Sequence, residues 1–185
     1  MEETIEQQAA RWRGVRIWLA AAAGVIVLYF VLVLLLAPGA PFMDDIHISA
    51  SVERARAAAN PWPELWSQHN EHRPVITKLI FWAQRTVSAP NYTLLAFIGN
   101  LSLLPIFAIF AWRAWKSGGA IAGAAILFAA AMTFSYTAAD SMLWAMTAMS
   151  NYGVIVFALL AFWMLAKGGA AWQLAALGAA LLAGL

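Results

Sequence analysis

The sequence predicts an all-α fold, a polytopic transmembrane helical bundle with a large outer first loop that contains surface-lying amphipathic helices. Three observations predict it. Of the 185 residues, 63% are hydrophobic and only 11% charged, against roughly 45–50% and about 25% in soluble domains. The mean hydropathy is +0.73. The polar residues are also unevenly placed. Six of the twenty charges precede residue 17, and ten more lie in 38–91 together with all three histidines.

Elements can be assigned in order. Residues 1–16 form a cytoplasmic tail. Residues 17–37 are an uninterrupted apolar run of twenty-one, a helix of about 31 Å that matches the roughly 30 Å hydrocarbon core. A cleaved signal peptide is the competing reading, but its apolar region would be about 7–15 residues, and Ala37-Pro38-Gly39-Ala40 fits a cleavage site poorly. Further apolar runs at 92–112, 119–136, 151–166 and 170–185 read as four more spans. Gly119-x-x-x-Gly123, among many alanines, allows close helix packing, or is plain alanine-rich membrane helix. The last run stops at Leu185 without a polar flank, which reads as the N-terminal part of a longer membrane protein.

Orientation follows from the short connections. Arg11, Arg13 and Arg16 precede the first span, Arg113 and Lys116 follow the second, and Lys167 follows the fourth. An N-in topology puts all six on the cytoplasmic side. It puts 38–91 outside, with five basic and five acidic residues, and the 137–150 connection with Asp140 outside as well. The polar segment is thus expected on the outer face of an integral membrane protein.

Within 38–91, Asp45 is positioned to N-cap a helix over 46–58. Asn60-Pro61-Trp62-Pro63 breaks the chain. Pro74 suits the first turn of a helix over about 74–88, with Val75, Leu79 and Trp82 on one face and Lys78 and Arg85 elsewhere. That helix is expected along the membrane surface, with Trp62, Trp66 and Trp82 near the interface. Asn91-Tyr92-Thr93 is a glycosylation sequon that carries little information without a eukaryotic context.

Composition excludes several functions. A net charge of +2 provides no basic nucleic-acid surface, so nucleic acid is not an expected partner. Without cysteine there is no disulfide framework, thiolate nucleophile or Cys-type zinc site. The chemistry is expected in Trp66-Ser67-Gln68-His69-Asn70-Glu71-His72-Arg73, eight residues without an aliphatic side chain. If this run is helical, His69, His72 and Arg73 share a face while Glu71 points elsewhere. A phosphate or diphosphate is the natural guest for imidazolium plus guanidinium, because Arg donates bidentate hydrogen bonds. Zinc is the rival reading of His69-x-x-His72, but metalloprotease histidines stand at i and i+4. A solvated turn between two interfacial helices is the plain alternative.

Adjacent carboxylates generally cannot aim at one atom, so of Asp44 and Asp45 one is expected to act and the other to cap or orient. A carboxylate there serves as general base for a hydroxyl, or binds a divalent cation such as Mg or Mn through oxygen. His47 reads better as a loop histidine than as a third polar contact. Asp140 either closes the site from above or is a solvated loop acid.

The layout resembles the membrane-embedded glycosyltransferases of the GT-C class, which take sugars from polyprenyl-phosphate carriers. There, a short cytoplasmic N-terminus and one span lead into a large outer loop with surface helices and an acidic catalytic residue near its start, where Phe42-Met43-Asp44-Asp45 stands here. Gln68-His69-Asn70-Glu71-His72-Arg73, followed by Pro74, resembles a run in uncharacterised bacterial members of that class. Asp140-Ser141-Met142-Leu143-Trp144 loosely resembles their second-loop segment, where Asn or Glu is commoner. The resemblance implies an inverting transfer from a polyprenyl-phosphate sugar to a glycan or lipid acceptor. Asp44 or Asp45 would be the base. Gln68, His69, Glu71, His72, Arg73, Lys78 and Asp140 would bind substrate and phosphate, and membrane lipids would surround the site. A lipid-linked sugar transporter or flippase is the alternative, expected to carry intramembrane charges or broken helices. A non-catalytic membrane assembly protein would tolerate substitution across 68–73.

Overall fold

The structure, a computed structural model, describes residues 5–69 and 73–184. Among these residues the regular elements are all helices: α1 Ile5–Leu36, α2 Asp44–Ala57, α3 Trp62–Leu65, α4 Val75–Val87, α5 Tyr92–Leu101, α6 Leu103–Ser117, α7 Gly119–Thr133, α8 Ala139–Leu143, α9 Ala145–Lys167 and α10 Ala170–Ala183. They form two compact units. The first takes the chain up to Leu32 together with Leu103–Thr137, and the second takes Val33–Ser102 together with the chain from Ala138 onward.

Three segments are long and apolar enough to cross a membrane: Val15–Leu36, Tyr92–Lys116 and Ala145–Lys167. Large apolar side chains lie open along them and their neighbours, with Leu35 72%, Phe162 69% and Ile121 79% exposed. Such surfaces are unfavourable in water and ordinary in lipid, so this is a membrane-embedded protein. The expected third and fifth spans form shorter helices, α7 of 15 residues and α10 of 14. At about 22 Å or less they fall short of a roughly 30 Å core. One physical cause is that Phe134 closes α7 and the chain turns through Tyr136–Ala138 instead of continuing.

The second segment is interrupted between α5 and α6. Pro105 has no N–H to offer Leu101 and its ring crowds that carbonyl, and at the break the Ser102 N–H donates to Gly99 O over a shorter turn, 3.2 Å. The fourth span begins at Ala145, six residues before its expected start. Thr147, Ser150 and Asn151 disguise its first turns as loop.

In the first unit, Val15, Ala22 and Tyr29 of α1 are buried. Their seven-residue spacing places them on one helix face. The Tyr29 ring meets Phe134 edge-on at 5.4 Å, and Phe134 also meets Phe107 at 5.7 Å. Gly123 lies against Trp18, where a β-carbon would stand 2.8 Å from the indole. Of the two glycines in the small-residue motif, this one is thus a close-packing contact.

In the second unit, α2 packs against α3, α4 and α9, and α9 also packs against α5, α8 and α10. Ile48, Val52 and Ala55 of α2, Leu65 of α3, Phe81 of α4 and Leu95 and Ala96 of α5 supply buried apolar surface. Asn100 is fully buried, and its amide donates to Ala96 O at 2.8 Å and Met142 O at 2.7 Å, fastening α5 to α8. α5 and α9 approach closely because Gly99 has no β-carbon, which would otherwise stand 2.7 Å from the Ala148 β-carbon and 2.8 Å from the Met149 nitrogen.

Gly99→Val is expected to destabilise the folded chain by about 1–3 kcal/mol or more, as overpacking does. Thermal unfolding of the variant beside wild type in the same detergent checks this. An unchanged midpoint would mean that α5 and α9 can separate at little cost.

Candidate functional site

The two aspartates after the first span are separated by burial. Asp45 is 1% exposed. Its Oδ1 accepts the Met146 N–H at 2.8 Å and its Oδ2 accepts the Phe42 N–H at 3.4 Å. Met146 is the second residue of α9, whose first amides have no acceptor within the helix. The carboxylate therefore caps another helix at its positive end. The expected local cap is corrected accordingly: α2 begins at Asp44, and its capping position is Met43, with no side-chain cap bond. Met43 takes φ 50°, ψ −117°, a conformation that L residues rarely adopt. The same junction is tied again by Trp144, whose Nε1–H donates to Phe42 O at 2.7 Å and whose ring lies 5.6 Å from the Phe42 ring. Burial raises the Asp45 carboxyl from 3.8 to about 6 despite the opposing hydrogen bonds to backbone amides.

Asp44 faces outward, with its side chain 34% exposed and its Oδ1 3.5 Å from His69 Nε2. The His69 ring lies 5.8 Å from that of His47. His47 is therefore part of the cluster and not a loop histidine: it lies on α2, one turn beyond Asp44. The signal for it was present. Asp44, His47, Ser51 and Arg54 are spaced 3, 4 and 3 along the sequence, a polar stripe on one helix face beside the buried stripe Asp45, Ile48, Val52 and Ala55.

A polar pocket of about 160 Å³ opens beside this stripe. Its lining includes His47, Ser51, Arg54, Ser67, His69 and Lys78, with Gln68 at its exposed edge. Lys78 corrects an expectation. Instead of reaching outward from α4 it is 1% exposed. Its Nζ donates to Ser67 O at 2.6 Å, Ser67 Oγ at 2.7 Å and Glu64 O at 3.1 Å. Its three N–H bonds are thus committed to the turn after α3, and burial lowers its pKa from the ordinary lysine value. Val75 and Phe81 share the buried side of α4 with it, while Leu79 and Trp82 are only half-buried. Ser51 Oγ donates to Glu64 O at 3.1 Å, and Arg54 Nε pairs with Glu64 Oε2 at 3.0 Å.

The expected helical face of His69, His72 and Arg73 is not observed, because His69 and Arg73 lie outside any helix. His72 and Glu71 fall outside the described residues. Arg73 is exposed, its guanidinium 5.9 Å from the centre of the Trp66 ring. Asp140 is exposed in the first turn of α8. The contacts of the later loop with the first are instead made by Trp144 and Met146. Among the described residues no three His, Asp or Glu side chains are grouped to hold a metal ion.

On α4 the residue before Lys78 lines a different pocket. Thr77, hydrogen-bonded to Ser150 at 3.3 Å, borders a mostly apolar cavity of about 190 Å³ with Ile76, Met149, Val154, Phe157 and Leu182. One helix thus borders a polar pocket with one residue and an apolar pocket with the next. This arrangement suits a guest with a charged head and a hydrocarbon tail.

The raised pKa of Asp45 has a definite sign for stability. Between the unfolded value near 4 and the folded value of about 6 the folded state holds more protons, so stability is greatest at the acid end and falls as pH rises through that window. The loss is expected to be on the order of 1–3 kcal/mol, flattened in Asp45→Asn. Unfolding followed from pH 4 to pH 7 tests this, and a wild-type profile as flat as the variant's would contradict it.

Compared with known protein families, curated proteins and solved structures, the chain matches none, so its function is argued from the site itself.

Proposed function

We propose that the chain is a membrane glycosyltransferase that moves a sugar from a polyprenyl-phosphate carrier to a hydroxyl of a glycan or lipid acceptor on the outer face, with Asp44 as general base. The observation that carries this reading is the division of labour between the paired acids. Asp44 keeps an open carboxylate against His69 beside a pocket bordered by basic side chains, while both oxygens of Asp45 are occupied by backbone amides.

In the proposed reaction Asp44 takes the proton of the acceptor hydroxyl as its oxygen bonds to the anomeric carbon. The bond from that carbon to the carrier phosphate breaks on the opposite face, inverting the configuration, and the electron pair leaves with the lipid phosphate. That departing anion calls for positive charge more than for a proton donor. Arg54 at the pocket supplies it nearby, with the His47 and His69 imidazoles beside it and Lys78 buried behind them. Arg73, stacked near Trp66, suits the carrier headgroup at the membrane boundary. The apolar cavity bordered by Thr77 suits the first isoprene units.

The test is transfer of labelled sugar from a panel of polyprenyl-phosphate sugars in membranes that contain the full-length protein. Asp44→Asn is expected to lower transfer by about 10²–10⁴-fold, the range of a general base, while Asp45→Asn retains transfer in proportion to the folded protein present. Arg73→Ala is expected to weaken donor use. Undiminished transfer by Asp44→Asn would refute the base assignment. Carrier binding that depends on Arg73, without transfer from any donor, would favour a transporter, and binding indifferent to all three changes would favour an assembly role.

A further inference from the structure

The first unit carries an open apolar groove of about 440 Å³. Ala22, Phe107, Ala111 and Ile126 line it, with Trp112 and Trp115 at the end toward the C-terminus of α6. Alanines leave depth where larger residues would fill it. Along α1 the groove runs from Leu19 to Ile26, about 10 Å of helix, which fits within one leaflet of a roughly 30 Å hydrocarbon core.

Among the described side chains of the first unit the charge is of one sign. Across 15–32 and 103–137 the charged residues are Arg16, Arg113 and Lys116, and all three are exposed. Arg16 stands one turn before Leu19 on α1. Lys116 lies 4.0 Å from the centre of the Trp112 ring, which itself lines the groove. An ammonium held over a ring face keeps its remaining N–H groups available to an anion.

We propose that this groove is a binding site for one anionic phospholipid of the bilayer, with an acyl chain between α1 and α6 and the headgroup phosphate at Arg16 and Lys116. Shape and charge each contribute. The apolar trough accepts a chain of any phospholipid, and the unopposed cations favour a net negative headgroup over a zwitterionic one. The site is independent of the sugar-transfer reading, because all of its residues belong to the first unit.

Delipidated full-length protein, offered equal amounts of phosphatidylglycerol and phosphatidylcholine, is to be examined by native mass spectrometry. Wild type is expected to retain a single phosphatidylglycerol about fivefold over phosphatidylcholine, as one surface cation contributes at a membrane. The double variant Arg16→Gln, Lys116→Gln alters only exposed side chains and should lose the preference while remaining folded by circular dichroism. Ala111→Leu, which enlarges a lining residue, should lower retention of both lipids. Asp44→Asn should leave the preference intact even where it abolishes transfer. Equal retention of the two lipids by wild type, a preference that survives loss of both cations, or full retention by Ala111→Leu would each overturn the proposal.

Discussion

A buried carboxylate pointed at the start of a helix organises the second unit. Asp45 and Met146 are 101 residues apart in sequence, and the bond between them joins the exit of the first apolar segment to the first turn of α9. Removing a carboxylate from water is costly, and here two backbone amides and the positive end of a helix offset that cost. The surrounding geometry follows from this contact. Phe42 and Trp144 are brought ring against ring, Met43 accepts an uncommon backbone conformation, and α2 leaves the junction with Asp44 turned toward solvent. An apolar side chain at 45 would leave the Met146 amide without its acceptor.

Lys78 does for the turn after α3 what Asp45 does for the start of α9. Its ammonium gathers the Glu64 and Ser67 carbonyls and the Ser67 hydroxyl onto α4, so a proline-broken stretch with little regular structure is held at a fixed distance from α2. The polar pocket is the space left between these two constrained pieces of chain. Asp45 and Lys78 do not neutralise one another; each is satisfied by neutral groups of the protein. Arg54, His47 and His69 border that pocket, Arg54 paired with Glu64 and His69 beside Asp44.

Much of this architecture was legible from sequence because burial and periodicity leave direct traces. The apolar run after Arg16, the proline break at 60–63 and the helix after Pro74 appear where the residue types place them. The spacing of Asp44, His47, Ser51 and Arg54 carried the polar face of α2 in plain form, and His47 was missed because it was read as a loop histidine although the helix expected over 46–58 already contained it. Lys78 misled for a different reason. Its charge argued for exposure, and only tertiary structure brings three oxygen acceptors to meet it. The onset of α9 was hidden by Thr147, Ser150 and Asn151, polar residues that a helix tolerates when its first turn is capped from elsewhere. The length of α7 depended on where its turn closes, which hydropathy does not encode.

The choice between the paired acids shows how accessibility and basicity can point in opposite directions. A carboxyl raised to about 6 looks like the better proton acceptor, and on that criterion alone Asp45 would be named the base. Its elevation arises from burial, and the same burial keeps a substrate hydroxyl away. Using Asp45 would require surrendering the Met146 amide and opening the junction with Trp144. Asp44 has no such obligation. It sits one residue earlier, at the solvent edge, with an imidazole beside it to orient its carboxylate. A base must reach the proton before its pKa matters, and the proposed base is accordingly Asp44, the acid that the helix cap does not need.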